Sequence, residues 1–406
     1  MRTVFTKDYA ESEDGKIAND ILRRCVHCGF CNATCPTYQL LGDELDGPRG
    51  RIYLIKQMLE GNEISEQSQT HLDRCLLCRA CETTCPSGVE YSRLLEIGRG
   101  IVEEKVPRGH WETIKRNALN SVLPRLQHYR WLLAIGRLFR FMIPANLESG
   151  LAVKAPRLSF PTRNHQRKML LLKGCVQSQL APDINRATAQ VFDKLGIMLV
   201  EEEQNNACCG AISQHLGKTE AALQVMRNNI DAWWPAVENG VEAIVVTASG
   251  CAPHVKDYGH LLRHDNHYAD KARRISELTR DVSEAVAVSN IAALNKLQQS
   301  MKVAFHAPCS LQHGQKLAGV VEAQLTALGY ELCAIKDAHL CCGAAGTYTI
   351  LQPEISEKLL INKLVALEKG KPQVIATANI GCMVHLQGDA SVPVKHWMEL
   401  LAEHNL

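Results

Sequence analysis

Two groups of four cysteines carry the clearest chemistry in this 406-residue chain. Cys25, Cys28, Cys31 and Cys35 precede Pro36, and Cys75, Cys78, Cys81 and Cys85 precede Pro86, so one comb recurs after 50 residues. The spacing C-x2-C-x2-C-x3-C-P suits a pair of cubane [4Fe–4S] clusters. Three closely spaced thiolates grip three corners of one cubane, and geometry sends the proline-flanked fourth to the other. Cys25, Cys28, Cys31 and Cys85 are therefore expected on one cluster, and Cys75, Cys78, Cys81 and Cys35 on the second. Structural zinc is the competing chemistry, but zinc sites favour paired C-x2-C hooks separated by a longer loop. The expected work is electron transfer.

Eight further cysteines follow a longer repeat. Cys175 recurs at Cys309, the run Cys208-Cys209-Gly210 at Cys341-Cys342-Gly343, and Cys251 at Cys382, with offsets of 134, 133 and 131 residues. The surrounding wording recurs as well: M-L-L-L-K-G-C (169–175) parallels V-A-F-H-A-P-C (303–309), and T-A-S-G-C parallels T-A-N-I-G-C. Two tandem copies of one domain are the simplest reading. Adjacent cysteines offer two sulfurs to one centre where the backbone turns sharply, and the following glycine permits that turn. Cys175, Cys208, Cys209 and Cys251 form one candidate quartet, and Cys309, Cys341, Cys342 and Cys382 the other. They leave room for one or two further iron–sulfur centres. Cys333 is left over and reads as a small buried hydrophobe. His254 and His385 each stand three residues after the last cysteine of a quartet, as ligands, donors to sulfur or ordinary packed side chains. His306 precedes Cys309 by three residues and has no counterpart in the first copy.

The elements that must position these residues are of two kinds. Between the combs, 50–60 reads as a helix with Ile52, Leu54, Ile55, Met58 and Leu59 near helical spacing and Gly61 as a stop. Residues 88–105 read as a closing helix. Arg49 and Arg51 start the first of these helices, either as solvated cations or as charges that raise the potential of a nearby cluster. In each later repeat a short apolar run, a helical stretch such as Asn185 to Leu195, Gly196 and the run I-M-L-V alternate as in α/β units with a parallel sheet. Sites in such sheets form outside the carboxyl ends of the strands. The expected fold is α+β and multidomain. An N-terminal α-helical two-cluster domain (1–105) and a helical or linker region (106–165) precede two tandem α/β repeats with parallel sheets (166–300 and 301–406). Within the linker region, 129–142 reads as an amphipathic helix, with Trp131, Leu132, Ile135, Leu138, Phe139 and Met142 opposite Arg130, Arg137 and Arg140. Such a helix can lie on a membrane surface or dock on a partner, though packing on its own protein is commoner.

A net charge of +2, from 45 basic and 43 acidic residues, gives no reason to expect a nucleic-acid partner. A polar N-terminal stretch without an export signal, together with 17 cysteines, points to a reducing compartment. No apolar run reaches the roughly 18–20 residues of a membrane span. The expected setting is cytoplasmic, with peripheral contact at the inner face of the cell membrane at most. No G-x-G-x-x-G after a strand, no P-loop and no nucleophile–base pair stands out, so no catalytic residues are expected.

The long helical insertion between the combs resembles the α-helical ferredoxin domain of respiratory iron–sulfur subunits. The tandem repeats resemble the cysteine-rich (CCG) domain of heterodisulfide reductase, whose motif ends C-x-x-C. Here both copies end in histidine, at Cys251-Ala-Pro-His254 and Cys382-Met-Val-His385, which departs from that enzyme's five-cysteine, non-cubane cluster. The whole order resembles electron-transfer subunits such as the third subunit of anaerobic glycerol-3-phosphate dehydrogenase and, most closely, the glycolate oxidase (glycolate dehydrogenase) iron–sulfur subunits. The strings that carry the likeness are C-V-H-C-G-F-C-N-A-T-C-P-T-Y-Q-L-L-G-D-E-L-D-G-P-R-G-R-I-Y-L-I-K-Q (25–57) and N-N-I-D-A-W-W-P-A (228–236). The resemblance implies a partner subunit carrying FAD or FMN that oxidises glycolate to glyoxylate. This chain would then relay the electrons to a quinone or another acceptor. The alternatives are the same relay for a glycerol-3-phosphate or D-lactate dehydrogenase, a heterodisulfide or thiol reductase, and a zinc-stabilised scaffold.

Overall fold

Ser12 accepts a hydrogen bond from the Gly15 amide and starts the helix Glu13–Arg24, with Glu13 and Asp14 in its first turn and Arg23 and Arg24 in its last. Pro48 opens the helix Pro48–Leu59, where its missing N–H costs nothing, and Gly61, at φ +86°, follows its end. A third helix, Tyr91–Lys105, packs on both. Ala18, Ile21 and Leu22 from the first meet Ile52, Ile55, Met58 and Leu59 from the second and Leu94, Leu95, Ile101 and Val102 from the third in one buried cluster. Each fully buried Leu or Ile there is worth about 1.5–3 kcal/mol relative to exposure. Gly98 sets the closeness of the packing, because a Cβ at this position would stand 2.6 Å from the Ile55 side chain. The expected helices at 50–60 and 88–105 thus form with slightly shifted ends.

The computed structural model describes residues 1–125, 128, 131, 158–201 and 208–405. They divide into two units, one of residues 1–116 with 339–363 and one of residues 117–338 with 364–406. The expected amphipathic helix at 129–142 lies outside the described residues, apart from Trp131, which is exposed.

A buried charge cluster ties the far end of the first unit. Asp73 accepts from Arg108 at 2.6 and 3.2 Å and from Arg116 at 3.0 Å, and Arg108 also pairs with Glu103 and Glu112. Burial favours the neutral Asp73 acid, but the Arg108 hydrogen bonds and the charges of Arg116, Arg108 and Arg99 outweigh it and hold the carboxyl below its usual pKa. Asp73→Asn is expected to cost about 3 kcal/mol, because two buried guanidinium groups lose their shared anion. Thermal melting of the variant checks this. Since the folded pKa lies below the unfolded one, the stabilisation is complete above about pH 4 and disappears as pH falls through the folded value. The melting-point gap between parent and variant should therefore close in acid.

The second unit is built on two parallel sheets. The first holds β1 (Arg167–Leu171), β2 (Ile197–Val200), β3 (Ile244–Val246) and β4 (Thr279–Asp281) in the order β2-β1-β3-β4. The second holds β5 (Lys302–His306), β6 (Glu331–Leu332), β7 (Val374–Thr377) and β8 (Val394–His396) in the order β6-β5-β7-β8. The two orders match position for position, so the long sequence repeat is a repeat of topology. Leu170 pairs with Val200 on one side and Ile244 on the other, and Ala304 with Ile375, all in parallel register. Because side chains alternate, Met169 and Leu171 join a core with Phe192, Val245, Val303, Phe305 and Trp397 that serves both sheets. Leu170 and Leu172 face the other way, onto Met226, Trp233, Val246 and Tyr258. The helix expected from Asn185 to Leu195 runs Asp183–Lys194.

Candidate iron–sulfur sites

The two combs fold alike. In the first, His27 and Gly29 take left-handed backbone at φ 55° and 84°; in the second, the equivalent Leu77 and Arg79 do so at 53° and 61°. A residue other than glycine pays roughly 1–2 kcal/mol for that conformation. Three of the four positions pay it, and the repeated turns bring each comb's first three sulfurs to one hollow.

The first hollow, of about 450 Å³, is lined by Cys25, Cys28, Cys31 and Cys85 together with Val26, Phe30, Arg49 and Tyr91. The second, of about 300 Å³, is lined by Cys35, Cys75 and Cys78 with Thr37, Arg51 and Tyr91. Cys81 borders both. Each hollow thus receives a sulfur from the opposite comb. Burial, then the neighbouring Cys25 and Cys28 sulfurs, push the Cys31 thiol up to about 11. Such crowding of buried thiols suits a site where metal cations take the place of the protons. The rim of the first hollow is open, with Cys28, Val26 and Phe30 exposed.

A cation backs the second hollow. Arg51, with its side chain 1% exposed, donates to Thr37 Oγ1 at 3.2 Å, to the His71 carbonyl at 2.7 Å and to Asp46 at 3.4 Å. Thr37 Oγ1 stands 3.3 Å from Cys35 Sγ. Asp46 is held in turn by Arg74 at 2.8 Å and His71 at 3.0 Å. Tyr91 Oη donates to Cys75 Sγ at 3.6 Å, as does the Leu77 amide at 3.5 Å. Cys341, from the 339–363 segment of this unit, lies near Cys78, whose thiol burial and Cys341 push up. Arg49 differs from Arg51: it is half-exposed, paired with Glu44, and borders the first hollow.

In the second unit, Cys175 follows β1, Cys208 and Cys209 follow β2, and Cys251 follows β3, all at carboxyl ends. The neighbouring Cys175 and Cys209 pull the Cys208 pKa well down, while Cys208 and burial raise that of Cys175, and Cys208, Cys251 and burial raise that of Cys209. Four sulfurs gathered at the carboxyl ends of three neighbouring strands, three of them buried, are a donor set that fits an iron–sulfur centre. The loop is held from below. Tyr258 Oη donates to the Cys209 carbonyl at 2.6 Å, and Asn229 Nδ2 donates to the Cys208 carbonyl at 2.8 Å and to Tyr258 Oη at 2.9 Å. His254 stands edge-on to Tyr258, with ring centroids 5.8 Å apart. Burial, then the nearby His215, lower its pKa to about 3, so the ring is neutral.

The other quartet is divided between the units, with Cys341 and Cys342 in the first and Cys309 and Cys382 in the second. Its double-cysteine turn copies its counterpart: Gly343 sits at φ 94° with its amide 3.4 Å from Cys341 Sγ, and Gly210 at 95° with its amide 3.4 Å from Cys208 Sγ. Asn379 Nδ2 donates to Cys382 Sγ at 3.4 Å. His306 Nδ1 lies 3.1 Å from Thr377 Oγ1, and His385 sits on the helix Ile380–Gln387. Cys333 Sγ faces the Gly370 carbonyl at 3.8 Å.

Residues 21–89 match the 4Fe-4S dicluster domain, and residues 169–256 and 303–387 match the cysteine-rich domain. Over 407 residues, 99% of both chains, the sequence is 51% identical to the glycolate oxidase iron-sulfur subunit of Escherichia coli (strain K12). This chain belongs to the glycolate oxidase iron–sulfur subunit family. A probable glycolate oxidase iron-sulfur subunit of Bacillus subtilis (strain 168) is 28% identical over 95% of this chain and 92% of its own. Lactate utilization protein A of Bacillus velezensis is 28% identical over 58% of this chain and 98% of its own. The family makes the chain an iron–sulfur, electron-transfer subunit of an oxidoreductase complex. Among the described residues no helix is long and apolar enough to cross a membrane.

Several residues that shape these sites carry no signal in the spacing of the combs. Asp46, His71 and Arg74 are ordinary charged residues until folding joins them. Thr37 and Tyr91 had a weak cue in their closeness to Cys35 and Cys85. Asn229 lies within the N-N-I-D-A-W-W string, where a polar side chain among apolar ones hinted at a buried partner.

Proposed function

We propose that the chain receives electrons from a subunit carrying FAD or FMN that oxidises glycolate to glyoxylate, and passes them to a quinone or other acceptor. Glycolate gives up two electrons and two protons at the flavin, and the clusters, when bound, supply one-electron chemistry. Cys25, Cys28, Cys31 and Cys85 hold one cubane and Cys75, Cys78, Cys81 and Cys35 the other. A further centre sits on Cys175, Cys208, Cys209 and Cys251, and Cys309, Cys341, Cys342 and Cys382 form the counterpart quartet. The chain's own residues set the conditions: the combs fix cluster positions, Arg51 biases one of them, and Tyr91 shields both. The exposed rim of the first hollow supports exchange with an outside redox partner there, and Cys341 beside Cys78 supports passage onward from the second. All 17 cysteines are free, which supports a cytoplasmic setting, with peripheral membrane contact at most.

The observation that carries this reading is a pair of four-cysteine hollows in a chain 51% identical to a glycolate oxidase iron-sulfur subunit. Partner exchange tests it. With the anaerobically purified chain, a glycolate-oxidising flavoprotein and glycolate should bleach the cluster absorbance. Flavoproteins that oxidise glycerol-3-phosphate or D-lactate, given their own substrates, should not. Equal or faster bleaching by either of these would transfer the assignment to that substrate.

A further inference from the structure

The Cys251-x-x-His254 pair lies beyond the loop that follows β3, on one helical turn, Ala252–Lys256, with Cys251 at its N-cap. His254 Nε2 is shielded from solvent and has no hydrogen-bond partner among the described residues. A buried polar atom without a partner costs free energy unless something else satisfies it. The surroundings show what that something is. A Cβ placed on Gly210 would stand 3.2 Å from Nε2, so the nitrogen lies directly against the Cys208-Cys209-Gly210 turn. Gly210 holds φ 95°, and with no side chain it leaves that space to the imidazole. Tyr258 fixes the ring from its edge and the Cys209 carbonyl by its hydroxyl, so one phenol positions both the nitrogen and the double-cysteine loop.

We propose that His254 Nε2 is a nitrogen ligand to iron in the centre held by Cys175, Cys208, Cys209 and Cys251, a mixed sulfur–nitrogen donor set. The inference rests on the reading that this quartet binds an iron–sulfur centre. Neutral imidazole is a common iron ligand, and replacing thiolate by imidazole raises a cluster's potential by removing negative charge. With imidazole where the five-cysteine pattern has its last thiolate, the centre would sit as an electron-accepting step above its five-thiolate equivalent.

The test combines iron analysis with nitrogen hyperfine spectroscopy on the full chain, purified anaerobically with histidine labelled in ¹⁵N. The expected result is iron clearly above the about eight per chain of two cubanes. A strong histidine nitrogen coupling should appear on one reduced centre and vanish in His254→Cys, which keeps the iron. If His254→Cys also loses the extra iron, an unchanged coupling in both His215→Ala and His306→Ala still assigns the nitrogen to His254. Extra iron without a strong histidine coupling, or a coupling that survives His254→Cys, overturns the inference and leaves the quartet reading intact. Iron of about eight in the parent chain overturns both.

Discussion

Cys85→Ala should abolish the cubane signature of the site on Cys25, Cys28 and Cys31 and spare the site on its own comb. Sequence proximity predicts the opposite, since Cys85 follows Cys75, Cys78 and Cys81 in the same comb. The argument is geometric: Cys85 borders the first hollow and is absent from the lining of the second, whereas Cys35 shows the reverse pattern. A cubane that loses one of four thiolates loses a defined iron site, so the effect is the disappearance of one whole spectroscopic component. Comparing four variants makes the result unambiguous. Cys85→Ala and Cys28→Ala should leave the same residual reduced spectrum, and Cys35→Ala and Cys78→Ala should share the other. A Cys85→Ala spectrum that matches Cys78→Ala would sink the crossed arrangement.

Arg51→Gln should lower the midpoint potential of the second cluster by on the order of 100 mV, with little change at the first. A reduced cluster is more negative than an oxidised one, so a buried cation close by favours reduction. A unit charge at contact range is worth about 2–4 kcal/mol at an effective dielectric near 20, and 100 mV for one electron falls at the low end of that range. The effect rests on charge, because the Thr37 hydroxyl that accepts from Arg51 gives its own proton to the Asp46 carbonyl at 2.8 Å rather than to sulfur. Asp46 keeps Arg74 and His71 as partners after the change, so no buried carboxylate is abandoned. Arg51→Lys retains the charge and should shift the potential far less. Redox titration followed by electron paramagnetic resonance reads both variants. A glutamine variant with an intact cluster and an unmoved potential would remove Arg51 from the tuning role.

Much of this arrangement was legible from residue spacing. The combs and the parallel α/β repeats follow from local patterns, and the structure holds the parallel strands in both repeats. Arg49 and Arg51 show where legibility stops. They are two residues apart and chemically identical in the sequence, yet a two-residue step turns a helix by roughly 200°, sending one into the core and the other toward solvent. That Arg51 is the buried one depends on Asp46, His71 and Arg74, whose convergence is a product of packing alone. The 339–363 segment is a similar case. Its cysteines read naturally with their own repeat, but it belongs to the same unit as the combs, and Tyr348 from it donates to the Arg74 carbonyl at 2.8 Å. No periodicity within the segment encodes that.

The crossing proposed for the fourth cysteines would bear on descent as well as on binding. A comb that kept all four ligands for itself would be a self-sufficient module, free to be deleted or exchanged. Once each copy lends its last cysteine to the other, neither copy can be lost without disabling both. Nor can one drift in register without the other following. Under that arrangement the 50-residue duplication would be held together as a single heritable unit.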